Sequence, residues 1–383
     1  MSKLKEDFLM LKYFEVENFK GFEETFYFNL STNRSYAFKT QLIKNKICNK
    51  LLIYGKNGSG KSNLGDAIFD LIVHLTDKFA KPIPIYKNLK NRQDKLVRFK
   101  YIFEFGNEEI VYEYEKFNQQ QLKKEALYIQ KEKELKTLIY YDYLDKQNNQ
   151  INLKEAATLN TDLRNNDLSI LKFIYKNTVQ TKENIIWKLF EFVENMLLFK
   201  SLKVNEFQGY KENTQTLADM IYVHNAIHDL EEFLRDNGED YKLEIRTSPY
   251  NIGQREIMAI MPKTNIVVPL FQIISTGTYS MILYFCWSLE FKKISFLFLD
   301  EFDAFYHYET SAYILKQVLD NNNFQAIITT HNTSLLSNEL IRPDCGYIVQ
   351  DNKEIKKLCD CTEKEIREAH NLEHMMKNGA FHG

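Results

Sequence analysis

The chain has 383 residues, with 50 Lys plus Arg against 52 Asp plus Glu, a formal net charge of −2. At roughly 150 residues per domain this length allows two to three domains or one large domain with insertions, and the near-zero charge excludes a global field drawing the molecule to nucleic acid or anionic lipid. Hydrophobic residues make 44% and charged residues 27%, which excludes disorder, collagen and a pure coiled coil.

Five scattered cysteines, Cys48, Cys286, Cys345, Cys359 and Cys361, suit a reducing compartment, so a cytoplasmic location is expected. The opening segment MSKLKEDFLMLKYFEVENFK alternates charged and apolar residues and does not read as a signal peptide. Next, Lys50 to Tyr54 is a short apolar run of strand type, and Asn63 to Ile72 has the apolar spacing of a helix. Gly55, Gly58 and Gly60 lie between them in a chain with only 13 glycines.

Phe99 to Phe117 alternates apolar and polar residues around Gly106-Asn107 and predicts an antiparallel hairpin. From Asn118 to about Tyr241 the pattern turns polar and helical, clearest in Ile185 to Leu202 and Ala218 to Leu234. Tyr279 to Leu289 is apolar but about half of the ~20 residues needed to cross a bilayer, so it predicts a buried helix and no membrane contact. Ile294 to Leu299 and Phe324 to Thr330 predict two buried strands separated by a helix over Thr310 to Leu319, an alternation that implies a parallel sheet.

Gly55-Lys56-Asn57-Gly58-Ser59-Gly60-Lys61-Ser62 fits G-x-x-x-x-G-K-[ST] and stands between the predicted strand and helix, as its mechanism requires. Glycines let backbone amides curl round phosphates, the helix N-terminus adds partial positive charge, Lys61 reaches the β and γ phosphates, and Ser62 offers a hydroxyl to Mg²⁺. The loop alone does not separate ATPases from GTPases or kinases. Further along, Phe296 to Leu299 ends in Asp300-Glu301, an arrangement in which the first carboxylate holds Mg²⁺ and the second activates a water. His331 follows the next strand, at the strand end where open α/β sheets bind ligands. Ser275-Thr276-Gly277-Thr278 precedes the apolar helix and offers hydroxyls and a helix N-terminus to a second anion.

In this order the residues resemble the ABC-type ATPase heads of the group that includes the chromosome-maintenance (SMC) proteins, the RecF repair ATPase and the OLD nucleases. Asn57-Gly58-Ser59-Gly60-Lys61-Ser62-Asn63 is similar to that group's Walker A, Ser275 to Thr278 to its signature, Asp300-Glu301 to its Walker B and His331 to its switch histidine. Asn18-Phe19-Lys20-Gly21-Phe22 is similar to its amino-terminal turn near adenosine and phosphates, which makes Lys20 a nucleotide-binding candidate. More narrowly, Asp300 to His307 and Thr330 to Asn338 resemble the single-head bacterial AAA-type, OLD-related ATPases of anti-phage systems such as Septu, PARIS and retron cassettes.

The resemblance implies an α/β P-loop NTPase fold: an ABC-ATPase head with a mixed sheet, flanking antiparallel hairpins and a helical insertion, divided as 1–117, 118–250 and 251–383. It also implies ATP and Mg²⁺ as cofactors and a head-to-tail homodimer in which the signature of one copy covers the nucleotide of the other. A separate nuclease or toxin is the expected effector, since only about 45 residues follow Asn338. A RecF-like DNA-binding ATPase and a slow or non-hydrolysing scaffold are the alternatives. Ile274 and Thr278, flanking Ser275 and Gly277, depart from the transporter signature, His307 stands where transporter heads have the D-loop aspartate, and Gln119 to Gln121 are the candidates for the Q-loop glutamine.

Other patterns carry less. His370-Asn371-Leu372-Glu373-His374 matches an inverted zinc-protease motif without room for its third ligand, and His224 with His228 lacks a surrounding ligand cluster. Lys81 to Lys100 holds seven basic residues and one acid, read as a solvated face, and Asn91 to Asp94 only faintly resembles a guanine-reading motif.

Overall fold

A computed structural model describes residues 9–76, 78, 92, 94–132, 134–201, 206–210, 216–247, 253–350 and 354–381. Most of the basic stretch 81–100 and half of the motif 91–94 lie outside them.

The predicted apolar runs assemble into a seven-stranded sheet in the order Glu206–Gly209, Met196–Lys200, Phe296–Asp300, Gln325–Thr330, Lys50–Tyr54, Gly346–Val349 and Ile355–Lys357. The five inner strands are parallel and the two outer ones antiparallel, giving a mixed sheet. Leu51 to Ile53, Phe296 to Leu299 and Ala326 to Ile328 are buried without alternation because both faces of the sheet are covered. One strand, Gln325–Thr330, lies between the strand before the glycine loop and the strand that ends in Asp300, so the three C-terminal ends are neighbours.

A second, antiparallel sheet runs Gln150–Ile151, Glu134–Asp142, Leu122–Lys131, Glu108–Lys116, Val97–Phe105, Met10–Glu17 and Phe26–Asn29. The hairpin expected around Gly106-Asn107 is its centre. Its inner face packs on the helices that follow the glycine loop: Tyr101 donates to the Ala67 carbonyl at 3.1 Å, and Tyr114 and Lys116 reach Asp70 Oδ2 at 2.8 and 2.6 Å. The side-chain amide of Gln325 ties the sheets together, exchanging two 2.9 Å hydrogen bonds with the Leu11 backbone. A third sheet joins Lys242–Thr247, Arg255–Ile260 and Val267–Pro269.

The middle of the chain departs from the helical reading. Leu122–Lys131 and Glu134–Asp142 are strands, and the helix Ile185–Glu194 gives way to a strand at Met196, so 118–250 threads through both large sheets. Two features hide the strand pattern: a register shift between Leu127 and Tyr128, and a buried acid at Glu125. That carboxylate accepts from Tyr112, Tyr143, Ser169 and the backbone N–H groups of Ile170 and Leu171, satisfying the start of the helix Ile170–Asn177. The stretch Ala218 to Leu234 forms two helices, Leu217–Val223 and Ile227–Asp236, broken where Asn225 adopts φ 51°. The apolar stretch at 279–289 is the helix Thr276–Ser288, buried beside those two, with Phe233 and Phe285 ring centroids 5.4 Å apart.

Candidate functional site

Strand Lys50–Tyr54 delivers the chain into the loop 55–60, and helix Lys61–Ile68 takes it away. Gly58 and Gly60 have φ of +76° and +105°, left-handed values that curl the backbone as the motif requires, and nothing lies within 4 Å of where either would carry a Cβ. Gly60 is the N-cap and supplies no side-chain acceptor to the helix, while Lys56, Asn57 and Gly58 are exposed. The helix start thus lacks a side-chain cap, as a turn that offers its N–H groups to an anion requires. Gly65 allows the helix to approach the Phe298 ring so closely that a Cβ would come within 2.9 Å of it.

Lys61 is buried, with its ammonium 2.6 Å from the Gly55 carbonyl, 3.1 Å from the Lys56 carbonyl and 3.2 Å from Glu301 Oε1. Asp300 is also buried, and Thr329 Oγ1 donates to its Oδ1 at 2.8 Å. Burial pushes the Asp300 carboxyl above its ordinary range, against hydrogen bonds from Ser62 and Thr329. Ser62 and Asp300 therefore meet as a hydroxyl–carboxylate pair. Glu301 has φ 47°, an unusual backbone for a glutamate, held by a 2.9 Å hydrogen bond from its N–H to Thr329 Oγ1. Its Oε2 and the Ser59 hydroxyl are buried without hydrogen-bond partners.

Buried polar atoms are normally satisfied, so these orphans mark a place for a ligand. The donor set fits a nucleoside triphosphate with Mg²⁺: amides and Lys61 for phosphate, and one hydroxyl and one carboxylate for a cation that keeps several waters and phosphate oxygens.

His331 is exposed just beyond strand Gln325–Thr330, on the same side of the sheet as Glu301. Lys20, at φ 48°, does not point freely into the loop: it pairs with Asp66 on the loop's helix, as does Lys200. Burial alone would raise the Asp66 carboxyl, but Lys200 and Lys20 outweigh it and hold it below the usual range. Asn63 packs against Gly21, where an added Cβ would lie 2.9 Å from its amide nitrogen. The amino-terminal turn is thereby bound to the phosphate helix.

Ser275 and Thr276 are exposed at the start of helix Thr276–Ser288, and Ser275 Oγ accepts from the Thr278 N–H at 3.1 Å. Thr278 instead turns inward, donating to Glu239 at 3.0 Å. Gly277 abuts the Phe305 carbonyl, which would be 3.0 Å from a Cβ there. Gln119 to Gln121 sit in a turn organised by Asn118, and Gln120 and Gln121 line a polar pocket with Arg164 and Asp167 rather than the glycine loop.

Sequence reasoning missed Thr329, Thr330, Asp303, Lys200 and Asp66. Lys200 was hidden inside the segment read as helix, although strand pairing sets it directly opposite Asp300. The paired threonines just before His331 are the signal that points to the first two.

Among the described residues no helix is long and apolar enough to cross a membrane. No curated protein matches the chain. The solved structure titled "Structure of the recombination mediator protein RecF-ATPrS in RecFOR pathway" is similar at 15% identity and a TM-score of 0.42, over 92% of this chain and 99% of that one. Residues 51–337 match the family described as "AAA domain, putative AbiEii toxin, Type IV TA system". With its glycine loop, acidic strand end and mixed α/β sheet, the chain belongs to this family and is an AAA-type ATPase of P-loop NTPase fold.

Proposed function

We propose that this protein binds and hydrolyses ATP, that two copies close head to tail around the nucleotide, and that closure controls a separate effector, a nuclease or toxin, in anti-phage defence. The observation that carries the catalytic part is Glu301, whose Oε1 is 3.2 Å from Lys61 and whose Oε2 is buried and unpartnered. A carboxylate oxygen held in that way is placed to accept a proton from an attacking water.

Ser62 and Asp300 would hold Mg²⁺, which when bound neutralises charge on the transferring phosphoryl group. Lys61 and the loop amides grip the phosphates, Glu301 orients the water, and His331 stands at the open edge to contact the γ phosphate. Support for the second copy comes from the surface around Ser275. Phe271, Ile273 and Phe305 are exposed there, and Ser275 with the Gly277 amide presents a helix N-terminus to an anion outside the subunit. The family's description, which names a toxin and a toxin–antitoxin system, is in keeping with an effector under the control of this ATPase.

Phosphate release and native mass, measured on the same preparation with and without ATP and Mg²⁺, test the reading. The expected result is release of phosphate and a mass that doubles with ATP; no release, or a mass indifferent to ATP, counts against it. For the effector, co-expression with the products of adjacent reading frames is expected to yield a complex whose nuclease or toxic activity depends on ATP.

A further inference from the structure

Two adjacent threonines end the strand Gln325–Thr330, and each side chain makes a pair of hydrogen bonds. Thr329 Oγ1 donates to Asp300 at 2.8 Å and accepts the Glu301 N–H at 2.9 Å. Thr330 Oγ1 donates to Asp303 Oδ2 at 2.8 Å and accepts the Asn332 N–H at 2.9 Å. In addition the Thr330 carbonyl accepts the Gly55 N–H at 3.2 Å. Each hydroxyl thus uses its one proton and a lone pair, which fixes its rotamer.

The first threonine pins the Asp300 carboxylate and the Glu301 backbone, and the second pins the residues on either side of His331. Asp303 has no place in the phosphate, metal or water roles assigned above, yet the residue is only 7% exposed and its Oδ1 has no hydrogen-bond partner. Burying such a group is costly and needs a compensating use. Its own turn is rigid, since the Ala304 N–H bonds the Glu301 carbonyl at 3.1 Å and the Tyr306 N–H bonds the Asp303 carbonyl at 3.2 Å. Asp303 is therefore fixed relative to Glu301, and Thr330 is fixed relative to Asp303.

We propose that Asp303 is a positioning residue for hydrolysis: through the Thr330 hydroxyl it locks the turn that carries His331 to the turn that carries Glu301. This rests on the ATPase reading and adds a residue that the glycine loop and acidic strand end do not contain. Burial raises the Asp303 carboxyl above its ordinary range, while the Thr330 hydrogen bond and the neighbouring His331 favour its charged form.

The test uses the full chain with Asp303→Ala, Thr330→Val, Thr330→Ser and the double variant Asp303→Ala/Thr330→Val. Steady-state phosphate release gives kcat and KM, and a fluorescent ATP analogue gives affinity independently. Loss of the lock displaces His331 relative to Glu301, so Asp303→Ala, which removes the acceptor of the Thr330 hydroxyl, and Thr330→Val are expected to lower kcat about 10- to 100-fold with KM and affinity within about 3-fold. Thr330→Ser, which keeps the hydroxyl, is expected to stay within about 3-fold of the parent kcat, and the double variant to be no worse than the poorer single one. A parent-like kcat in Asp303→Ala, losses confined to KM, or multiplied losses in the double variant would each overturn the inference. If the parent chain itself bound no ATP, the ATPase reading would fall and this inference with it; parent turnover matched by Asp303→Ala removes the inference alone.

Discussion

The Lys61 ammonium lies 3.2 Å from Glu301 Oε1, joining the glycine loop to the acidic strand end across the intervening strand Gln325–Thr330. Both groups are nearly sealed from solvent, with Lys61 also gripped by the Gly55 and Lys56 carbonyls. On the proposed reading, a phosphate entering the loop would compete for the same ammonium and free the glutamate to hold a water. Replacing Lys61 by Ala is thus expected to weaken ATP binding at least about 100-fold, because a charge-assisted contact to phosphate is lost and Glu301 stays buried and unpaired. Equilibrium titration with ATP and Mg²⁺ measures it; unchanged affinity would remove Lys61 from the site.

Gly60 tests the loop's backbone separately from its chemistry. Its φ of +105° strains any L residue, while the space around it is open, so Gly60→Ala meets no clash. The expected cost is about 1–3 kcal/mol, shared between a lower thermal midpoint and weaker ATP binding. A variant equal to the parent in both would show that the loop does not need this conformation.

Ser275 tests the contact between copies. It is exposed at a helix start, whereas Lys61 is buried. Ser275→Arg places a long side chain where a second copy would dock, so ATP affinity of the single chain is expected to be retained and the ATP-dependent doubling of mass to be lost. Doubling that survives the substitution would place the interface elsewhere.

Lys50, at the start of the loop's strand, gives a pH signature. It is fully buried against the Phe324 ring, and burial, helped by Lys44, lowers its amine to about 7. An amine lowered by folding opposes folding while it is charged. That opposition is fully present below about pH 7, fades as pH rises, and is gone above the ordinary lysine value near ~10.4. Lys50→Met is accordingly expected to be more stable than the parent at pH 7 by about 1–3 kcal/mol, after allowing for the lost hydrogen bond to the Phe324 carbonyl, with the difference shrinking towards pH 10. Denaturant unfolding at the two pH values checks it, and a difference that grows with pH would contradict the assignment.

The loop, the acidic strand end and the parallel pairing were legible in the sequence because each depends on local spacing: glycines at 55, 58 and 60, and apolar runs at 51–53, 296–299 and 326–328. The antiparallel strands after Asn118 were not. Their alternation is broken by the register shift at Leu127, and a buried Glu125 stabilised by five donors looks in sequence like a surface residue. Strand Met196–Lys200 follows a helix after one residue, and periodicity over five apolar positions cannot separate the two. The partners of the site were illegible for a related reason. The paired threonines before His331 are a local signal, but their hydrogen bonds to Asp300 and Asp303 join segments nearly 30 residues apart, which no local pattern records.

The most direct test of the central claim is the Glu301→Gln chain, assayed for ATP binding and turnover together. The amide keeps the shape of the side chain but cannot take a proton from water, so the expected result is one ATP held per chain with affinity equal to or above the parent's and turnover lowered at least about 100-fold. Turnover at the parent's rate, or loss of ATP binding with that substitution, would contradict the assignment of Glu301 and of the site built around it.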